Sequence, residues 1–142
     1  MTSSIKIENY LKDQKGFLGC FACNDLPPFP KKFPVSMIIN TDKKNQAGEH
    51  WLGLILTKSK CLYFDSFGVG ITEETIVSYL QQKYEKATVN NECIQHLYSE
   101  SCGLFCIAFL KNVKSKPSFE KFISKFSLFN LQKNDNIVLN LL

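Results

Sequence analysis

The stretch Ser101 to Val113, SCGLFCIAFLKNV, constrains this chain more than any other, because its only charged residue is Lys111. Its residues favour a helix that is apolar nearly all round, and such a helix belongs at the centre of a fold. The rest of the chain must therefore cover it. Two runs supply strands: His50 to Thr57 (HWLGLILT) and Cys61 to Asp65 (CLYFD). The three residues between them, Lys58, Ser59 and Lys60, suit a hairpin turn. Val35 to Asn40 (VSMIIN) reads as a third strand, followed by the polar loop from Thr41 to Gly48. A fourth strand is expected around Cys93 to Leu97.

Helices with one apolar face are expected from Thr72, as cap, to about Lys86, and from Pro117 to Leu128. A short helix over Ile5 to Lys12 follows Ser3 and Ser4, and Asp135 is placed to cap a last turn ending at Leu142. Gly16 to Pro34 holds four prolines, which argue against regular helix or central strand there. At 142 residues the chain is read as a single domain spanning 1–142. The fold class is α+β: a small mixed or antiparallel sheet packed against helices, with the buried helix starting at Cys102.

The chemistry available is narrow. All 17 basic residues are lysine, so guanidinium clamps on phosphate or carboxylate are excluded. Only His50 and His96 could serve as an imidazole base. The opening residues MTSSIKIENYLKDQK carry no apolar signal segment, and no run is long enough to span a membrane, so a reducing compartment and mostly free thiols are expected. The six cysteines include Cys20-Phe-Ala-Cys23, but Cys61 and Cys93 stand apart. No second pair completes a zinc site, and none is assigned.

His50 opens one hairpin strand and Asp65 closes the other. A hairpin brings its outer ends together, so the carboxylate falls within reach of the imidazole, where it fixes the tautomer and raises basicity. Cys102 stands where the polar YSES turns into the buried helix. A helix N-terminus favours thiolate over thiol. Gly103 behind it allows close approach of another backbone. Gln95, seven residues before Cys102, could lend an amide to an oxyanion hole, with the Cys102 N–H as second donor. His96 points opposite to Gln95 if that segment is extended, which makes it the weaker base.

The order H-W, D-S-F-G, Q and C-G-L-F-C resembles the adenovirus-type maturation proteases and the wider clan that includes ubiquitin-like-protein proteases. FLGCFACNDLPPFP, SMIINTDKKNQAGEHW, CLYFDSFG and IQHLYSESCGLFCIAFL each resemble a block of that family. The Gln-to-Cys spacing matches the viral enzymes better than the cellular ones. Length and the S-x-x-C-G-x-x-C form also resemble proteases of Polinton-like transposons and virophages. The resemblance implies a papain-like, adenain-like thiol protease with Cys102 as nucleophile, His50 as general base and acid, Asp65 as orienter and Gln95 as oxyanion donor. It implies cleavage of capsid-related precursor proteins next to small residues such as glycine, with Gly48, Glu49, Trp51 and Gly103 along the substrate channel. No cofactor is required for the chemistry, and DNA or a peptide is the activator type to test. The location implied is the virion and the host cytoplasm, nucleus or viral factory, as a monomer without membrane contact.

Two departures stand out. The orienter is Asp rather than Glu. Cys93, the nearest candidate for a disulfide to an activating peptide, lies nine residues from Cys102, which does not match the family spacing. Rival readings on the same scaffold are removal of ubiquitin-like modifiers, acyl transfer, or a non-catalytic module binding peptide or nucleic acid. Lys111, Lys114, Lys116, Lys121 and Lys125 form a basic stretch whose bland reading is a solvated helix face and whose functional reading is non-specific DNA contact.

Overall fold

The computed structural model describes residues 2–41 and 50–142. Five strands form one sheet in the order β1 (Phe17–Ala22), β2 (Val35–Asn40), β3 (Trp51–Leu56), β4 (Cys61–Phe64) and β5 (Thr88–Val89). The outer pairs β1–β2 and β4–β5 are parallel, and β2–β3 and β3–β4 are antiparallel. The helices are α1 (Ser4–Leu11), α2 (Glu74–Gln81), α3 (Cys102–Asn112), α4 (Lys116–Ser124) and α5 (Gln132–Leu139). The mixed α+β architecture is the one the sequence implies.

Every residue of β2, β3 and β4 is buried, because both faces of the sheet are covered. Alternation sends Ile38, Ile55, Leu62 and Phe64 to one face, where α3 packs with α1, α4 and α5. Met37, Ile39, Leu54, Leu56 and Tyr63 go to the other face, under α2 and the proline-rich segment with Leu26, Phe29 and Phe33. The α3 helix is buried over most of its length, as its composition requires. Its Phe109 stacks on Phe64 of β4 at 5.0 Å between centroids, and Phe119 and Phe122 of α4 close around the pair. Gly53 permits this approach, since a Cβ there would meet the Phe109 ring at 2.7 Å.

Several boundaries differ from the sequence expectations. Phe17–Ala22 is an edge strand, because the prolines begin only at Pro27 and leave its N–H groups free to pair. The segment Cys93 to Leu97 is not a strand; the last ladder is made by Thr88–Val89, and the chain leaves the sheet afterwards. The α2 helix starts two residues after Thr72 and stops at Gln81. The α5 helix has two turns rather than one, and Asp135 lies inside its first turn instead of capping it. Ser3 caps α1 as expected, accepting from the Lys6 N–H.

Candidate active site

The hairpin of β3 and β4 sets the first two residues. Leu56 faces Cys61 and Gly53 faces Phe64, so the same register places His50 opposite Phe67. Their rings meet at a tilt of 32° with centroids 4.8 Å apart. Asp65, two residues before Phe67, turns its carboxylate onto the imidazole: His50 Nε2 and Asp65 Oδ1 are 2.7 Å apart.

The turn after β4 holds that carboxylate still. Oδ1 also accepts the Phe67 N–H (2.9 Å) and Oδ2 accepts the Val69 N–H (3.3 Å). Gly68 closes the turn at φ +69°, where a Cβ would strike the Glu92 carbonyl at 2.7 Å. Behind it, buried Asn90 braces the Asp65 backbone from both sides. Its Oδ1 accepts the Asp65 N–H (3.0 Å) and its Nδ2 donates to the Asp65 carbonyl (2.7 Å).

Cys102 is the first residue of α3 and is 3% exposed. No side chain caps this helix end, so the N-terminal field of α3 acts on the sulfur itself. The Cys102 thiol is near enough to the His50 imidazole to act on its proton affinity. Burial by itself would lower the His50 pKa. The hydrogen bonds to Asp65 and Cys102, and the charges of both, outweigh it and raise the pKa from 6.5 to about 9. Imidazolium is thereby favoured between a carboxylate and a sulfur, which is the arrangement that stabilises a thiolate nucleophile.

The other thiols are set apart by their surroundings. Burial pushes Cys61 up to about 12, and burial with the Glu8 charge does the same to Cys20. Cys106, one helical turn after Cys102, is fully buried and also raised, chiefly by burial. Cys23 donates to the Thr41 carbonyl at 3.0 Å. Cys20 and Cys23 belong to opposite faces of the sheet, which separates the C-x-x-C pair. Among the described residues, no group of three or more His, Cys, Asp or Glu side chains could hold a metal ion.

Gln95 is 2% exposed, in the segment that returns from β5 to α3. Its backbone N–H and that of Ile94 both donate to the Ser66 carbonyl (3.1 and 2.9 Å). Its side-chain Nε2 donates to the Ser99 carbonyl at 2.9 Å, three residues before Cys102. His96 is turned to local use, accepting from the Tyr98 N–H. Trp51 donates its indole N–H to the Thr2 carbonyl (2.8 Å). A Cβ on Gly103 would lie 2.6 Å from Thr2 Cβ, so the Thr2 side chain, just ahead of α1, lies against the residue after the candidate nucleophile. Gly48 and Glu49 lie outside the described residues.

The structure thus brings His50, Asp65 and Cys102 together and sets Gln95 in the loop that delivers Cys102. Asn90, Ser66 and Ser99 were not anticipated. An asparagine or serine in a loop has no spacing signature, and these act through backbone groups distant in sequence.

A model of the adenovirus endoprotease family matches residues 17–88. The protease of snake adenovirus serotype 1 is 31% identical over 136 residues, covering 85% of this chain and 68% of that protein. The protease of ovine adenovirus D serotype 7 is 33% identical over 129 residues (77% and 63%), and that of bovine adenovirus 7 is 31% identical over 111 residues (67% and 54%). The chain spans between about half and two-thirds of the length of these relatives. The crystal structure of the selenomethionine ASFV pS273R protease is similar at a TM-score of 0.39 and 20% identity, over 65% of this chain and 39% of that one.

Proposed function

The chain belongs to the adenovirus endoprotease family of cysteine endopeptidases, and on that premise we propose that Cys102, His50, Asp65 and Gln95 form its catalytic set. The observation that carries this reading is the His50 imidazole held between the Asp65 carboxylate and the Cys102 thiol. The Cys102 thiolate attacks the scissile carbonyl, and the carbonyl oxygen takes up negative charge. The Cys102 backbone N–H and a Gln95 Nε2–H stabilise that oxyanion. His50 gives its proton to the leaving amine, and the acyl-enzyme remains. His50, now neutral, takes a proton from water as the water attacks the thioester, and returns it to the departing sulfur.

The substrates are capsid-related viral precursor proteins, cut next to small residues such as glycine. The contact of Thr2 with Gly103 and Trp51 supports a narrow channel. The chain acts as one monomeric domain in the virion or infected cell. DNA serves as a non-specific activator surface. Lys111, Lys114, Lys116, Lys121 and Lys125 are exposed. Lys116 also borders a groove of about 650 Å³ with Lys58, Lys60, Lys83 and Lys86, and these side chains offer point charges to a phosphate backbone.

The test is incubation with a Gly-Gly-containing peptide amide and with a capsid-related precursor, followed by mass determination of the products. Cleavage next to a small residue that disappears in Cys102→Ala supports the reading. Cleavage that survives Cys102→Ala overturns it. Transfer of the acyl group to an amine without hydrolysis would assign acyl transfer instead.

A further inference from the structure

A side-chain amide is useful to an oxyanion only if its nitrogen, not its oxygen, faces the reacting atoms. An amide can sit either way round in the same volume, so something must choose. Resting on the catalytic set proposed above, we propose that Ser66, together with the Ser99 loop anchored by Asp135, is the positioning device that fixes the Gln95 amide with its N–H groups toward the carbonyl under attack.

The argument runs along one chain of bonds. The Ser66 hydroxyl donates to Gln95 Oε1, and Ser66 is fully buried. Gln95 Nε2 donates to the Ser99 carbonyl (2.9 Å). A carbonyl can only accept. Were the amide reversed, Oε1 would face the Ser99 oxygen, two acceptors in contact inside a buried site. Ser66 would then face the nitrogen, and the oxygen would stand where the donor is needed. In the observed orientation one Nε2–H is used by Ser99 and the second remains for an oxyanion.

The Ser99 end is itself tied down. The Ser99 hydroxyl donates to Asp135 Oδ1 of α5 (2.9 Å) and accepts the Ser101 N–H (3.1 Å). The loop that presents Cys102 and the carbonyl that orients Gln95 are therefore fixed by the same serine. Next to it, fully buried Asn134 of α5 donates to the Ile94 carbonyl (2.8 Å). The α5 helix thus grips the segment on either side of Gln95. Ser66 lies directly after Asp65, so a single turn orients both the base and the oxyanion donor.

The test compares Ser66→Ala, Gln95→Ala, the double variant and Asp135→Ala. Peptide hydrolysis is measured beside the rate of iodoacetamide alkylation at Cys102, which needs the thiolate but no oxyanion hole. Ser66→Ala should lower kcat at least about tenfold, within the roughly hundredfold or more attached to losing one oxyanion donor. KM should stay within about twofold and alkylation should be unchanged, since neither depends on that donor. Added to Gln95→Ala, it should cost nothing further. Asp135→Ala, at the more exposed end, should give a smaller loss of kcat with the same pattern. An additive loss in the double variant, or alkylation slowed in step with kcat, would overturn the proposal.

The orientation is also read without turnover, from the Gln95 side-chain amide NMR pair, identified by its absence in Gln95→Ala. Its Ser99-bonded proton should exchange with solvent slowly in the parent protein and faster in Ser66→Ala. An unchanged pair overturns the orientation argument. Absence of peptide cleavage by the parent protein would instead overturn the catalytic reading.

Discussion

His50 Nε2 and Asp65 Oδ1 are 2.7 Å apart although fifteen residues separate them, and the same carboxylate oxygen is held by the Phe67 N–H. The carboxylate cannot turn away without breaking its own turn. The imidazole is therefore oriented by a rigid backbone element rather than by a free side chain.

Replacing that carboxylate should move the pH profile. His50 titrates at about 9 in the folded protein, with its hydrogen bond to Asp65 among the groups that hold it up against burial. Peptide hydrolysis should persist until imidazolium is lost and fall off on the alkaline side near that value. In Asp65→Asn this limb should shift toward neutral pH and kcat should fall about a hundredfold or more, the scale of general acid–base catalysis. A limb that stays in place would show that Asp65 does not set the imidazole. Stability follows the same linkage. The folded pKa lies above the unfolded 6.5, so the stabilisation is complete below about pH 6.5 and lost as pH rises through about 9. Urea midpoints of the parent and His50→Ala should converge over that window.

Two glycines on α3's contact surfaces should respond differently to alanine. At Gly53 the new Cβ would strike Phe109, which is locked between Phe64 and Phe119. Gly53→Ala should destabilise by about 1–3 kcal/mol, the range for overpacking a filled core. At Gly103 the obstacle is Thr2, in the segment ahead of α1, which can shift aside. Gly103→Ala should cost under about 1 kcal/mol while raising hydrogen exchange in the segment around Thr2. Equal losses in denaturant midpoint would contradict the difference.

Asn90 should matter for both folding and catalysis. Its side chain makes three hydrogen bonds, to the Asp65 N–H, the Asp65 carbonyl and the Glu92 carbonyl, with 4% exposure. Asn90→Ala should destabilise by about 2–3 kcal/mol, because buried backbone groups lose their partners. It should also lower kcat, because Asp65 is no longer braced. Denaturant unfolding and peptide kinetics on one preparation check both parts.

DNA affinity, if carried by lysines, should be steeply dependent on salt and indifferent to sequence. Lys116 stands where the basic groove meets α4. Lys116→Glu should weaken duplex binding at low salt and flatten the plot of log affinity against log salt by about one to two units, as a phosphate contact is lost and a repulsion added. Binding that is undetectable at low salt in the parent chain would end the DNA reading.

Much of the candidate site's arrangement could be read in the sequence, for local reasons. A hairpin with a short turn fixes which residues meet at its open end, so His50 and Asp65 follow from counting. A helix without polar faces fixes its own place, so Cys102 follows from composition. The edge strand Phe17–Ala22 was hidden because the prolines that begin at Pro27 colour the whole segment. The segment Cys93 to Leu97 is expected to be a strand, yet in the structure Ile94 and Gln95 are buried without joining the sheet. Their backbones are instead satisfied by Ser66 and Asn134, single contacts across 28 residues or more that leave no period in the sequence. What was illegible is the set of side chains that bind distant backbone, and it is that set which aims the amide.

The bond from Trp51 to Thr2 has a practical side. Trp51 is the only tryptophan in the chain, and its indole bonds Thr2, whose side chain lies against Gly103, the residue after the candidate nucleophile. Its fluorescence therefore comes from one place. Emission wavelength and quenching should report occupancy of the proposed channel and displacement of Thr2 without any attached label, and a stopped-flow trace on the unmodified protein can time peptide entry separately from bond cleavage.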